Sequence, residues 1–407
     1  MLAFDPVDSM GALMSANSDP REMMVALLRE TRRRDRAMVR LLGEFARCES
    51  PSREKAAVDR FGRMVEREWR RRGARLTRLR QPKRGDQVRA EVWLGQGGPP
   101  APRTAQILVL GHLDTVYPMG TLAKMPFRVS GGRAWGPGTF DMKGGIVLAL
   151  AAVDALRAAR VVARKRIVFL WTSDEEIGSE AAQGVIDREA RRTDAVLVLE
   201  PSLGREGHLK TARKGVGGAE IIVTGRSAHA GIEPEKGVNA VHELALQIAR
   251  LMKMNQPQRG ITVQATVVRG GTTTNVVPDE ACAQVDIRFA RIADARAIDR
   301  KLRAVRPILR GAEVEVRSGE PRPPLERSAG VVKLFRHAQG LMHAIGIPLG
   351  EAATGGGSDG NLTAALGVPT LDGLGAIGDG AHSPREHVVI RALAPRAALI
   401  AGLLATL

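Results

Sequence analysis

The stretch Ile167-Val168-Phe169-Leu170-Trp171-Thr172-Ser173-Asp174-Glu175-Glu176-Ile177-Gly178-Ser179 decides the fold. It opens on a continuous apolar run of strand length, the mark of a strand buried on both faces in a parallel sheet. Residues 180–186, which follow, read as a helix. Asp174, Glu175 and Glu176 therefore stand at the carboxyl end of a strand, where open α/β sheets place their ligands. Side by side, three carboxylates repel one another and call for a positive partner. Taken alone, such a triplet is a solvated acidic loop.

The same layout recurs along the chain. Ile107-Leu-Val-Leu-Gly-His112-Leu-Asp114-Thr reads as a buried strand ending in two polar ligand types. Residues 195–199 read as a strand with Glu200 at its end. Gly136-Pro-Gly-Thr-Phe-Asp141-Met-Lys-Gly-Gly is a Gly-rich turn opening an apolar helix over 146–159, and a Gly-rich loop leads to His382. Collected, His112, Asp114, Asp141, Glu175, Glu176, Glu200 and His382 offer imidazole and carboxylate without thiolate, a donor set suited to zinc, cobalt or manganese. Two divalent cations would offset the repulsion among Asp141, Glu176 and Glu200. Asp114 lies two residues from His112, so both point the same way on a strand and Asp114 is placed to orient the imidazole. Glu175 is left over as a general base for an attacking water. His208, His242, His337, His343 and His387 read as ordinary surface or helix residues.

The 407 residues exceed what one core usually accommodates, so two domains are expected. Residues 1–19 look loose. Residues 20–47 have helical periodicity, Ser52 is placed to cap a helix running to residue 72, and residues 88–94 alternate like a strand. Residues 95–102 form a Gly/Pro loop. From about residue 211 the order becomes strand, helix, strand, strand, helix, strand, which is the ferredoxin-like split motif. After Pro321-Arg-Pro-Pro324 the chain returns to α/β texture. One α/β domain, residues 1–211 and 327–407, is thus interrupted by a second, residues 212–326.

A formal net charge of +17 raises the question of nucleic acid. The basic residues are spread widely, there is one tyrosine, and no basic stripe is interleaved with aromatics for base stacking. Attraction of anionic small substrates is the better use of this charge. Cys48 and Cys282 are too few for a disulfide framework or a thiolate metal site. No apolar run reaches membrane-spanning length, and the first residues lack the basic and apolar regions of a signal peptide. The expectation is a cytoplasmic protein without a nucleic-acid or membrane partner.

Five ordered segments carry a family resemblance: Gly111-His-Leu-Asp-Thr-Val-Tyr-Pro, Gly136-Pro-Gly-Thr-Phe-Asp141-Met-Lys-Gly-Gly, Thr172-Ser-Asp-Glu175-Glu176-Ile-Gly-Ser, Leu199-Glu200-Pro-Ser and Gly380-Ala-His382-Ser-Pro-Arg-Glu. Together they resemble the dizinc aminoacylase/carboxypeptidase family, which includes acetylornithine deacetylase, succinyl-diaminopimelate desuccinylase and glutamate carboxypeptidase. The segment from Tyr117 to Val129 and Thr354-Gly-Gly-Gly-Ser-Asp359 are most similar to the glutamate carboxypeptidase branch. The resemblance implies a zinc-exopeptidase-like catalytic domain with a mixed sheet and an inserted lid or dimerisation domain. It implies that His112 and Glu200 hold one Zn2+, that Glu176 and His382 hold the other, and that Asp141 bridges them and precedes a cis peptide. Asp114 then supports His112, and Glu175 is the base.

In the inserted domain, Gly225-Arg-Ser-Ala-His229-Ala-Gly resembles the segment whose histidine reaches the active site of the partner in a homodimer, with Asn275 beside it. Arg288 resembles the arginine that takes a substrate's terminal carboxylate, for which a guanidinium fork is suited. Gly356 and Ser358 lie in a Gly-rich loop read as backbone donors for a carboxylate. The implied reaction is hydrolysis of an amide bond beside a free carboxylate, with release of an acidic C-terminal amino acid. An N-acyl-amino-acid deacylase or small dipeptidase is the alternative within the class. A non-catalytic metal-dependent binding protein is the alternative outside it, and an intact Glu175 counts against that.

Overall fold

The protein is described by a computed structural model over residues 19–95 and 106–407, so the loose start and most of the Gly/Pro loop expected from the sequence lie outside the described residues. The chain divides into two units. The first comprises Met1–Thr211, Ser328–Ala352 and Leu366–Leu407; the second comprises Ala212–Arg327 and Ala353–Ala365.

The first unit is built on a mixed six-stranded sheet. Its order is Arg75–Leu79, Gln87–Val92, Arg166–Thr172, Gln106–His112, Thr193–Val198 and Thr370–Leu371. The first two strands run antiparallel to their neighbours and the rest are parallel. The strands Gln106–His112 and Arg166–Thr172 are buried at every residue, as their unbroken apolar runs require of strands covered on both faces. Trp69 of helix Lys55–Arg71 packs on Phe169, with ring centroids 4.1 Å apart, and so covers the strand that leads to the acidic turn.

Helices Gly144–Ala158 and Leu393–Thr406 are apolar almost all round, and both are buried in the main core. The final helix also buries Arg396, whose guanidinium donates to the carbonyls of Gly207, Gly373 and Gly375. The Gly375 N–H in turn donates to the Glu200 carbonyl at 2.9 Å.

A small antiparallel sheet joins Gly378–Asp379, His387–Val389, Arg133–Trp135 and Arg128–Ser130 in that order. His387 is in register with Trp135, so the hairpin that carries His382 lies against the strand leading into the Gly136–Asp141 turn.

Several local expectations change. Residues 20–47 form two helices, Pro20–Arg32 and Asp35–Ala46. Ser52 does not cap the next helix, which begins at Lys55 after Glu54. Its N–H and hydroxyl both face the Thr115 carbonyl, at 3.2 and 3.4 Å, and tie this segment to the end of the His112 strand. The helix expected from residue 180 begins at Gln183.

The second unit has an antiparallel sheet in the order Thr262–Gly270, Glu280–Phe289, Gly215–Thr224, Glu313–Ser318. With strands numbered along the chain this is 2-3-1-4, the ferredoxin-like arrangement. Helices Ala240–Met252 and Ile292–Arg303 bury Leu244, Leu251, Ile298 and Leu302 in one cluster with Ile221, Val223, Val285 and Ile287 of the sheet. Residues 353–365, which the sequence reading assigns to the returning first domain, group with this unit. Asn361 donates to the carbonyls of Lys214 and Pro323, and Arg213 donates to those of Gly356 and Gly357.

Candidate active site

Three neighbouring parallel strands of the first unit end at one edge of the sheet. His112 closes its strand in register with Thr172, and Leu110 is in register with Val198. The chain beyond these ends supplies Asp114, the turn Glu175–Ile177, and Glu200. Asp174 is not part of the open group. It is buried, and its Oδ2 accepts the Ala181 N–H at 2.7 Å, closing the acidic turn from beneath.

Asp141 arrives by another route. Gly138 adopts φ +70°, a left-handed conformation that costs a glycine little, and an irregular turn then leads into helix Gly144–Ala158. The Asp141–Met142 peptide is cis. Met142 turns inward against Gly111, where an added Cβ would press on its Sδ and Cε and on the Trp171 ring, all within 2.8 Å. His382 sits at φ +60° in the hairpin loop of the small sheet.

The five residues read as metal ligands converge as two trios that share Asp141. His112, Asp141 and Glu200 form one; Asp141, Glu176 and His382 form the other. Within each, one donor atom per residue lies within 4.8 Å of the others. The His112 Nε2 is 3.2 Å from Asp141 Oδ1 and 3.4 Å from Glu200 Oε1. The His382 Nε2 is 3.3 Å from Asp141 Oδ2 and 3.0 Å from Glu176 Oε2. Asp141 thus turns one oxygen to each trio.

A pair of divalent cations fits this set on two grounds. The donors are imidazole and carboxylate throughout, and Glu176 Oε1 is buried with no hydrogen-bond partner, a position that calls for a cation or a proton donor.

The electrostatics follow from crowding. Burial opposes charge on His112, yet Asp114, Asp141 and Glu200 raise its pKa well above the ordinary histidine value. Asp141 and Glu176 push His382 up to about 10. Burial works against the ionised Asp141, but the two imidazoles hold it well below the usual carboxylate range. Burial raises the Glu176 carboxyl.

Asp114 stands beside the imidazole, as expected, and also holds the acidic turn. The imidazole Nδ1 of His112 faces the Asp114 backbone carbonyl at 2.9 Å, and the carboxylate is farther, at 3.5 Å. A neutral imidazole that donates Nδ1–H to this carbonyl leaves its Nε2 lone pair toward Asp141 and Glu200. The Asp114 carboxylate also accepts the N–H groups of Glu175 and Glu176, each at 3.2 Å.

Sequence reasoning passed over Lys143 and Glu386. Lys143 is fully buried, donates to the carbonyls of Phe45 and Cys48 at 3.1 and 2.8 Å, and stands 4.6 Å from the Phe61 ring centroid. Burial lowers its pKa to about 8. Glu386 is fully buried against the Asp141 turn; burial pushes it up to about 7, while its hydrogen-bond donors pull the other way. Its one sequence signal is its place four residues after His382, inside the quoted motif.

In the second unit, His229 is exposed and its Nδ1 accepts the N–H groups of Gly231 and Ile232 at 3.2 and 3.1 Å. The proton of the neutral ring then sits on Nε2. Ala228–His229 pairs with Val276–Val277, and the Asn275 carbonyl accepts the Ala230 N–H at 2.9 Å, which places Asn275 beside the histidine segment. Arg288 is gripped by Asp286, which accepts from Nε and Nη2 at 2.9 Å each; Nη1 is 3.4 Å from the Gly355 carbonyl. Ser358 is buried, its N–H donates to Asn361 Oδ1 at 3.0 Å, and its hydroxyl accepts the Gly360 N–H at 3.1 Å. This turn therefore uses Ser358 internally. Gly356 offers its carbonyl to Arg213.

Comparison with known proteins agrees with this geometry. The chain is 32% identical to "Carboxypeptidase G2" of Pseudomonas sp. (strain RS-16) over 374 residues, 90% of this chain and 88% of that protein. It is 28% identical to "Succinyl-diaminopimelate desuccinylase" of Leptothrix cholodnii (strain ATCC 51168 / LMG 8142 / SP-6) over 321 residues, 74% of this chain and 81% of that protein. In fold it resembles the crystal structure of aminopeptidase PepT from Bacillus cereus ATCC 10987, with a TM-score of 0.73 and 22% identity, covering 91% of this chain and 98% of that one. Residues 108–406 match the peptidase family M20/M25/M40, and that span runs from the His112 strand to the end of the final helix. With both cation trios inside it, the chain belongs to this family of metal-dependent hydrolases.

Proposed function

We propose that this chain is a dizinc exopeptidase that hydrolyses the amide bond next to a free carboxylate and releases a C-terminal, acidic amino acid. The observation that carries the reading is the pair of His–carboxylate trios joined through Asp141, with Glu175 on the same turn as Glu176. His112, Asp141 and Glu200 would hold one cation, and Asp141, Glu176 and His382 the other. Bound there, such cations supply Lewis acidity toward the scissile carbonyl and make water more acidic.

The chain's own groups do the rest. Glu175 takes a proton from the attacking water and passes it to the leaving amine. His229, with its proton on Nε2, donates to the developing oxyanion, and Asn275 supports it. Arg288 meets the substrate carboxylate through Nη1, because Asp286 holds its opposite edge. Gly356 and Ser358 shape the loop that adjoins it. The net charge of +17 draws anionic substrates toward the protein. By family resemblance the second unit pairs two copies into a homodimer in which His229 serves the partner's cations.

The test is turnover of the zinc-loaded protein on a matched series: an N-acyl glutamate, its carboxamide analogue and an N-acyl leucine. Hydrolysis of the first well above the others supports the reading. Preference for the amide, or no turnover on any free-carboxylate substrate, removes it. The similarity to a desuccinylase favours a second reading, an N-acyl-amino-acid deacylase or small dipeptidase. A series varied in the acyl group separates that from the first.

A further inference from the structure

Two loops that carry ligands are joined by one buried carboxylate. Glu386 Oε1 accepts the N–H groups of Phe140 and Asp141, at 2.8 and 2.9 Å. Its Oε2 accepts the Gly138 N–H at 2.9 Å and the Tyr117 hydroxyl at 2.6 Å. Three amides from four consecutive residues thus converge on one anion, and the turn that delivers Asp141 is wrapped around it. Glu386 itself belongs to the His382 hairpin. Its carbonyl accepts the Gly136 N–H at 3.2 Å, and the Tyr117 hydroxyl also lies 3.0 Å from the Ser383 carbonyl, next to His382. Hydrogen bonds to an ionised acceptor are short and about twice as strong as neutral ones. No neutral side chain of this size reproduces four of them.

The two trios depend on this link unequally. His112 and Glu200 stand at strand ends of the large sheet, whereas the hydrogen bonds of Glu386 run to Tyr117 and to the turn that delivers Asp141. Asp141 and His382 both stand on the segments that Glu386 joins, and the half-exposed His382 ring pairs with Asp141 and Glu176.

We propose that Glu386 and Tyr117 are a positioning pair that sets the distance between Asp141 and His382 and thereby the affinity of the Asp141–Glu176–His382 cation site. The inference rests on the two-cation reading above. Partners of metal ligands, though not ligands themselves, contribute about 10–100-fold in metal affinity.

The experiment titrates metal-free full-length protein with Co2+ and with Zn2+, for the parent, Glu386→Gln and Tyr117→Phe. Glutamine keeps the volume but turns an N–H against N–H donors. Phenylalanine removes one hydroxyl and leaves the carboxylate in place. The parent takes up two equivalents. In Glu386→Gln the second equivalent weakens about 10–100-fold while the first changes much less. In Tyr117→Phe the same equivalent weakens by a smaller factor. In both, the visible spectrum of the second Co2+ shifts.

Melting of the metal-free proteins reports folding separately. If Glu386→Gln does not fold, Tyr117→Phe decides alone. Parental affinity for both equivalents in the folded variants overturns the proposal, as does equal weakening of the two. A parent that takes up fewer than two equivalents overturns the two-cation reading, and this proposal with it.

Discussion

The main chain of Glu175 is fixed by Asp114: its N–H donates to Asp114 Oδ1 at 3.2 Å, and the neighbouring Glu176 N–H donates to Oδ2 at the same distance. One carboxylate thus holds both amides of the acidic turn, and that turn stays in place when a side chain on it is exchanged. The substitution Glu175→Gln therefore isolates the chemistry of the carboxyl group. It should leave two bound cations and lower turnover by at least about a hundredfold, the scale of general-base loss. Metal analysis and steady-state rates on the same sample check this, and near-parental turnover would take the general-base role from Glu175.

Arg288 is held by Asp286 on one edge and reaches the Gly355 carbonyl from the other. Replacing it with alanine should raise KM for substrates bearing a free terminal carboxylate far more than for their carboxamides. The measurement is a paired comparison of kcat/KM. Equal losses on both would make Arg288 a structural part of its strand.

Exhaustive dialysis of the protein against a chelator should abolish turnover, and Zn2+, Co2+ or Mn2+ should restore it to different extents, since each accepts nitrogen and oxygen donors. The metal-free protein should also melt earlier than the loaded one, because ligands that bind only the folded state stabilise it. Turnover that survives with no metal detected would contradict the assignment of the trios.

The second unit carries an acid-sensitive clasp. Glu243 is fully buried and accepts the N–H groups of Ile308 and Leu309 and the Gln247 amide. Burial opposes its ionisation, but these donors win and leave its pKa below the ordinary value of 4.5. A depressed carboxylate stabilises the fold above its unfolded pKa and loses that contribution as pH falls through the folded value. Glu243→Gln should therefore cost about 1.5–3 kcal/mol near neutral pH, the range for hydrogen bonds to charged groups. The gap from the parent should close at a pH below 4.5. Denaturant unfolding at both pH values tests the sign, and a gap that widens in acid would refute it.

Assembly has its own test. Glu175→Gln and His229→Ala should each be nearly inactive alone. If His229 serves the partner's site, subunit exchange between them should restore part of the activity, since some heterodimers then hold one complete site. Absence of recovery after exchange has been demonstrated by mass would return His229 to its own subunit or remove it from catalysis.

Three central strands are legible from local pattern, because unbroken apolar runs are a local property of buried strands: the runs that begin at Ile107 and Ile167 and the run over 195–199 fall on Gln106–His112, Arg166–Thr172 and Thr193–Val198. Seven candidate residues, His112, Asp114, Asp141, Glu175, Glu176, Glu200 and His382, are readable at strand ends and Gly-rich loops without coordinates, and the family resemblance picks out the five that come together as two trios. The βαββαβ order of the second unit is legible from its succession of short strand-like and helix-like segments. Arg75–Leu79 is not legible in the same way: it is an edge strand, mostly exposed, and carries two arginines and a threonine among its five residues. Tertiary packing alone turns Asp174 inward, gives the Asp114 carboxylate the amides of the acidic turn as well as the imidazole, and binds Ser52 to Thr115 instead of leaving it to cap its helix. Glu386 is the clearest case. Its partners at Gly138, Phe140 and Asp141 lie about 245 residues earlier in the chain. A buried carboxylate must find donors wherever the fold supplies them, and no local pattern of residues records which distant amides those are.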